Sequence, residues 1–291
     1  MIAPLCKEAS GRCQKHAPPD PGARRGARPR RRDFWASDPR TCQPTPQAHR
    51  NPCIFISRVL YLVGMTDDFT PWLEILPEPQ RRLWEELAAI PPEFVLYGGT
   101  AIALHLGHRR SVDFYFFGNR FDPARLTASI PFLDEATITQ AEPDTLSCIV
   151  NRGGPVKLSF FGVPGLTRLA PPHVAPDNGL QIASLLDLAG TKAAVVQRRA
   201  EAKDYADMDA MISSERIDLP TALAAARAIY GRQFNPQITL KALSSFNDGN
   251  LRRLPKGVKD RLAKAAREVD LDRLPEIVRA NSPRENNGPK Q

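Results

Sequence analysis

Hydrophobic spacing divides the chain into a front part with mixed periods and a back part with a helical one. Leu83, Trp84, Leu87 and Ala88 recur at helical intervals across 79–90, which predicts an amphipathic helix stopped by Pro91 and Pro92. Residues 94–97 form a short apolar run with the character of a buried strand, and 100–106 continue as a helix. In 111–117 the pattern alternates: Phe114 and Phe116 take one strand face, Asp113 and Tyr115 the other. The segments "DTLSCIVN" and "PVKLSFFGV", joined through "RGG", predict a β-hairpin with a glycine turn. From Gln181 the pattern is helical to the end, with breaks at Pro220, Pro236 and Pro255. Its first helix is expected over 181–198, with a stripe through Ile182, Leu185, Ala189 and Val196. No repeat is visible. The expected class is α+β: a small mixed-sheet domain over 65–180, then a helical domain over 181–291.

Composition changes the picture at the front. The chain has 291 residues, 42% of them hydrophobic, enough for a true core. Its formal net charge of +8 suggests a nucleic-acid partner until the charge is located. Residues 1–64 hold 12 Lys and Arg against 4 Asp and Glu, which accounts for all of the excess. Residues 1–50, rich in Pro, Arg, Ala and Gly and without a period, are expected to be disordered. Two readings follow: a basic arm that binds nucleic acid, or a segment outside the working protein. The abrupt change of composition at Met65 favours the second, with Met65 as the expected natural start.

Cys6, Cys13, Cys42 and Cys53 also fall in that segment, without the CxxC spacing of a zinc site. Only Cys148 lies beyond it, which argues against a disulfide scaffold and for a reducing cytoplasm. No apolar segment follows directly on a basic start, so no signal peptide is expected. The run "CIFISRVLYLVG", interrupted by Arg58, is too short to span a bilayer.

Candidate chemistry centres on "LYGGTAIALHLGHRRSVDFYFFG". A strand that runs into Gly98 and Gly99 and then a helix presents backbone N–H groups to an anion such as phosphate. Asp113 follows on the open face of the next strand. A glycine pair alone is more often a plain turn; the spacing to Asp113 strengthens the phosphate reading.

This matches the nucleotidyltransferase pattern of a hydrophobic residue, G-G or G-S, nine to thirteen residues, then D-hydrophobic-[DE]-hydrophobic. Together with "VKLSFFG" and "SLLDLAGTKAAVVQRRAEAKDYADMDAMI", the stretch resembles the abortive-infection toxin family of the AbiEii/AbiGii type, over about 79–243. The resemblance implies a polymerase-β-like nucleotidyltransferase fold and Mg²⁺ held by two carboxylates. It also implies a nucleoside triphosphate attacked at its α-phosphate with loss of pyrophosphate, an antitoxin partner, and an RNA acceptor such as tRNA. Gly98, Gly99, Thr100 and Ser111 would then bind nucleotide and Asp113 would hold the metal. The chain departs from the pattern at Tyr115, where the second carboxylate belongs; a neutral phenol is a poor ligand for a hard cation. Ser159 occupies the place of a third carboxylate, as it does in relatives with "VKxSFFG". Activity is therefore expected to be weak or absent.

Lys192 falls on the apolar stripe, where an ammonium needs an anionic partner. The partner is either a core carboxylate or, by the resemblance, the triphosphate. In "KDYADM", Asp204 and Asp207 share a helix face beside Lys203. By resemblance Lys203 contacts phosphate and Asp204 or Asp207 orients Lys192 or accepts a proton from the nucleophile; the alternative is an ion-pair network with Arg198 or Arg199 that ties two helices. His105 and His108 lack further ligands for zinc. His108, Arg109 and Ser111 are expected to shape a loop, with an arginine within reach of phosphate. No GxSxG or P-loop motif is present. Two other classes remain: a catalytically dead protein that binds nucleotide or antitoxin, and a nucleic-acid binder acting through the basic arm.

Overall fold

A computed structural model describes residues 59–60 and 69–277. The expectations for the basic arm, its four cysteines and Met65 lie outside the described residues. Among these residues the chain forms nine strands: β1 (Val59–Leu60), β2 (Val95–Tyr97), β3 (Asp113–Gly118), β4 (Thr137–Glu142), β5 (Thr145–Asn151), β6 (Pro155–Gly162), β7 (His173–Val174), β8 (Gln181–Ile182) and β9 (Glu276–Ile277). Strands β1 and β9 pair with each other in parallel. The other seven make one mixed sheet in the order β4-β5-β6-β3-β2-β8-β7. Eight α-helices accompany them: α1 (Glu78–Trp84), α2 (Gly98–Leu106), α3 (Pro123–Ser129), α4 (Leu185–Val195), α5 (Ala202–Ser213), α6 (Leu219–Tyr230), α7 (Pro236–Ala242) and α8 (Lys256–Glu268). The architecture is the expected α+β one.

Strand β3 is central. It runs antiparallel to β2, with Tyr115 opposite Tyr97, and parallel to β6, with Asp113 opposite Lys157 and Tyr115 opposite Ser159. Alternation sends Phe114 and Phe116 into the core, where both are fully buried. Phe116 stacks on Phe160 at 5.0 Å between centroids, and Phe94 meets Phe160 edge to face. The opposite face carries Asp113, Tyr115 and Ser159. The β5–β6 hairpin turns through Arg152, Gly153 and Gly154, with Gly153 at φ 77° as the turn requires.

Prolines punctuate the helical half as starts rather than stops. Pro220 and Pro236 lie in the first turns of α6 and α7, and Pro255 directly precedes α8. Two elements differ from the spacing. The helix expected over 181–198 begins only at Leu185, because the Ser184 hydroxyl caps it by accepting from the Asp187 N–H. Gln181 and Ile182 are extended instead, with Ile182 paired to Leu96 of β2. The chain's described end is also not helical, since Glu276 and Ile277 form β9. Among the described residues, no helix is long and apolar enough to cross a membrane.

Helices α4 and α6 pack closely at Gly190, where a Cβ would lie 2.9 Å from the Ala225 carbonyl carbon and 3.0 Å from the Ala226 nitrogen. Backbone cannot yield as a flexible side chain does. Gly190→Val is expected to lower unfolding free energy by about 1–3 kcal/mol in urea denaturation, the usual cost of overpacking. Wild-type stability in the variant would contradict this contact.

Candidate functional site

The site is built from the start of α2, the open face of β3, and the facing parts of α4 and α5. Helix α2 begins at the glycines themselves, with Tyr97 before it and no side chain capping its first N–H groups. Both glycines are needed for close approach. Gly98 is at φ 78°, and a Cβ there would sit 3.3 Å from the Tyr115 ring. A Cβ on Gly99 would collide with the Arg109 guanidinium and lie 3.3 Å from Asp207 Oδ2.

Thr100 and Ser111 lock the helix to the strand. Thr100 Oγ1 is 2.6 Å from the Asp113 carbonyl oxygen and 2.7 Å from Ser111 Oγ. A carbonyl only accepts, so Thr100 donates to it and the Ser111 hydroxyl serves as the second partner. Gln80 Nε2 donates to the Val112 carbonyl at 2.8 Å, steadying the same segment from α1. Asp113 and Tyr115 are both half-buried, and the Tyr115 hydroxyl is 3.5 Å from Asp113 Oδ2. Burial, reinforced by the Asp113 charge, pushes the Tyr115 phenol up to about 12, so it stays protonated.

Behind this face lies a buried ion cluster. Lys192 Nζ is 2.8 Å from Asp204 Oδ1 and 2.9 Å from Asp207 Oδ2. Arg199 grips Asp204 through Nε at 2.7 Å and Nη2 at 3.2 Å. Arg109 forks onto Asp207 through Nε at 2.6 Å and Nη2 at 3.0 Å. His108 Nε2 is 2.8 Å from the same Asp207 Oδ1; facing a carboxylate, that nitrogen carries the proton. Burial alone would raise both carboxyls, but Lys192 with its neighbouring arginines overrides it and holds Asp204 and Asp207 below the usual carboxylate range. Burial likewise opposes the Lys192 charge, and the two aspartates more than restore it.

Each sequence candidate thus has a place. Gly98, Gly99, Thr100, Ser111 and Asp113 converge where α2 meets β3. Lys192 and Asp207 meet in the cluster, and Arg109 joins α2 to it. Lys203 points away into an ion pair with Glu201 at 3.2 Å and is nearly half exposed. His105 is apart: its Nε2 is 2.9 Å from the Ala183 carbonyl, and its ring packs against Phe69 and His173. The Arg199 pair with Asp204 is the ion-pair alternative expected from the sequence; the fork from Arg109 and the Gln80 anchor were not identified from it, since Arg109 and Asp207 are 98 positions apart with no local signal joining them.

Magnesium prefers several hard anionic oxygens in near-octahedral array. Asp113 supplies one carboxylate, Tyr115 a protonated phenol, and Ser159 a hydroxyl 3.0 Å from Ser147 Oγ. Among the described residues no group of three or more His, Cys, Asp or Glu is placed to hold a metal. These residues do not fit a protein-held metal pair.

With that geometry in hand, comparison with known proteins adds relatives. The family model for the nucleotidyl transferase AbiEii toxin of a type IV toxin–antitoxin system matches residues 82–280. The "Uncharacterized protein aq_aa25" of Aquifex aeolicus (strain VF5) is 30% identical over 178 residues, covering 60% of this chain and 84% of that protein. Among solved structures, MenT4, a nucleotidyltransferase toxin from Mycobacterium tuberculosis H37Rv, aligns with a TM-score of 0.47 at 15% identity, over 67% of this chain and 83% of that one.

Asp207→Asn would leave Arg109 without its buried counter-charge and Lys192 with Asp204 alone, and is expected to cost about 3–5 kcal/mol in denaturation at pH 7. Because the folded carboxyl titrates below its unfolded value, its contribution is complete above about pH 4 and fades below that; the gap between variant and wild type should narrow there. A gap that stays constant down to strong acid would refute the ionic account. His105 gives a different window. Burial lowers its pKa from 6.5 to about 3, so below 6.5 the unfolded chain takes a proton that the folded one refuses. Wild-type stability should fall by up to about 1.4 kcal/mol per pH unit across that interval, and His105→Gln should flatten the slope.

Proposed function

Since the chain belongs to the AbiEii nucleotidyltransferase toxin family, we propose that it transfers a nucleotide from a nucleoside triphosphate to an RNA acceptor such as tRNA, at a reduced rate. The observation that carries the reading is the glycine-started α2 beside Asp113, backed by the Lys192 cluster. The uncapped N–H groups at Gly98 and Gly99 receive the phosphates, favoured by the helix N-terminus. Thr100 and Ser111 fix Asp113, and Lys192, paired in the cluster with Asp204 and Asp207, would meet a phosphate only by leaving one of those partners. The acceptor hydroxyl attacks the α-phosphorus and pyrophosphate leaves. Asp207 is saturated by Lys192, Arg109 and His108, so its role is to position Lys192 and Arg109 rather than to take a proton. Lys203, held by Glu201, would reach phosphate only by leaving that pair.

Asp113 is the single strand carboxylate left for a divalent cation, which is why activity is proposed to be weak. The expected compartment is the cytoplasm, and the expected protein partner is the antitoxin that a type IV system pairs with its toxin. Tyr115 also favours a second reading, a protein that binds nucleotide or antitoxin without chemistry.

Restoring the missing ligand separates the two. With α-labelled triphosphates, Mg²⁺ and total tRNA, Tyr115→Asp is expected to raise labelling by about 100-fold or more, since a completed metal site supplies several kcal/mol to the transition state. Equal labelling by both proteins would sink the claim that Tyr115 limits the reaction. Triphosphate binding to wild type by calorimetry with no labelling by either protein would leave the binding reading.

A further inference from the structure

A second feature lies beside the site, on the segment from Arg252 to Arg267. It holds seven Lys or Arg against one Asp, although the chain beyond residue 64 is electrically balanced overall. Arg252, Arg253 and Arg267 are exposed, and the Lys256 and Lys264 side chains are 90% and 70% exposed. On α8, Lys256, Lys264 and Arg267 fall on one face, while buried Leu262 and Ala266 fall on another and bind the helix to the body. Asp260, among the basic positions, offsets Lys256 at 2.6 Å, and Glu268 lies 3.8 Å from Lys264. The remaining excess is still strongly positive.

The segment is fastened to the walls of the site at two points. At its start, the Asn250 side chain accepts from the Ala202 N–H at 2.5 Å, the first residue of α5. Gly249 lies so close to the Ala200 carbonyl that any Cβ would strike it. This is the turn that carries Arg199 and Glu201. Further along, Arg261 forks onto Asp209 of α5 at 2.8 and 2.5 Å, two residues beyond Asp207.

We propose that the face formed by Arg252, Arg253, Lys256, Lys264 and Arg267 docks the phosphate backbone of a structured RNA and delivers its end to the site. The proposal rests on the nucleotidyl-transfer reading for what happens to that end, and on the charge and placement of the face for the docking. An acidic protein is the weaker fit: protein interfaces centre on apolar or aromatic anchors, and none of the exposed large hydrophobic residues lies on this segment. Helix α8, 13 residues long, extends about 20 Å, a length that follows several phosphates along a strand.

The test is tRNA binding by the full chain across a salt series. Wild type should bind with log affinity falling linearly with log salt, and the triple variant Arg252→Gln, Arg253→Gln, Lys256→Gln should lose about tenfold and flatten that slope by about 2–3. Lys264→Glu with Arg267→Glu should weaken binding further, while Arg125→Gln, on α3 beside the other end of the sheet, should not change it. Unchanged binding in both the triple and the double variant would overturn the proposal, as would equal affinity for poly-glutamate. Triphosphate binding is measured in parallel by calorimetry. Its absence would defeat the nucleotide reading alone; its persistence in variants that lose tRNA would support the division between site and docking face.

Discussion

Helices α4 and α5 and the residues after α2 meet around the Lys192 ammonium, which lies between the buried carboxylates of Asp204 and Asp207. Taking such charges out of water is expensive, and their attraction repays it only with good geometry and full hydrogen bonding. The geometry is supplied here by the Arg109 and Arg199 forks and by His108, whose Nε2 meets Asp207 while its buried Nδ1 has no hydrogen-bond partner among the described residues. The arrangement leaves little freedom: α4 supplies the lysine, α5 both aspartates, and the residues after α2 the arginine and histidine. Gly99 has no side chain because the Arg109 fork occupies that space. The cluster therefore sets how closely the start of α2 approaches α5, and with it where a phosphate would lie.

The opposite wall is set by β3. Its alternation between core phenylalanines and open-face Asp113 and Tyr115 follows from the strand period, and Gly98 accommodates the Tyr115 ring as Gly99 accommodates the guanidinium. A phenol held protonated beside a lone carboxylate makes this wall less anionic than a pair of carboxylates would. Such a wall would repel a phosphate less, and draw a divalent cation less, than two carboxylates would.

Much of this was legible in the chain. The period of two in 111–117, the glycine turn after Asn151 and the prolines at the starts of α6, α7 and α8 each state a local preference that the fold obeys. The glycine pair and Asp113 stood out because they are short-range features with a fixed spacing. The helix expected from Gln181 was wrong at its front because the Ser184 cap and the pairing of Ile182 with Leu96 outweighed an apolar period. The cluster was only half readable. Lys192 announced an unknown counter-charge, and Asp204 was paired with an arginine five residues before it, a distance local reasoning can reach. The fork from Arg109 to Asp207 joins positions 98 apart, and nothing near either residue points to the other.

That long separation has a consequence for how the molecule comes into being. The strand with Asp113 and the helix opened by Gly98 can emerge and pair while synthesis continues, since β2 and β3 are near neighbours in the chain. Lys192, Asp204 and Asp207 follow roughly eighty to a hundred residues later, so a polypeptide halted before α5 has an exposed Arg109 and no cluster to hold α2 in place. Domains fold as units once their residues are available, and distant contacts close last. For this chain it means that the cluster beside the glycine turn can assemble only once α5 has been made.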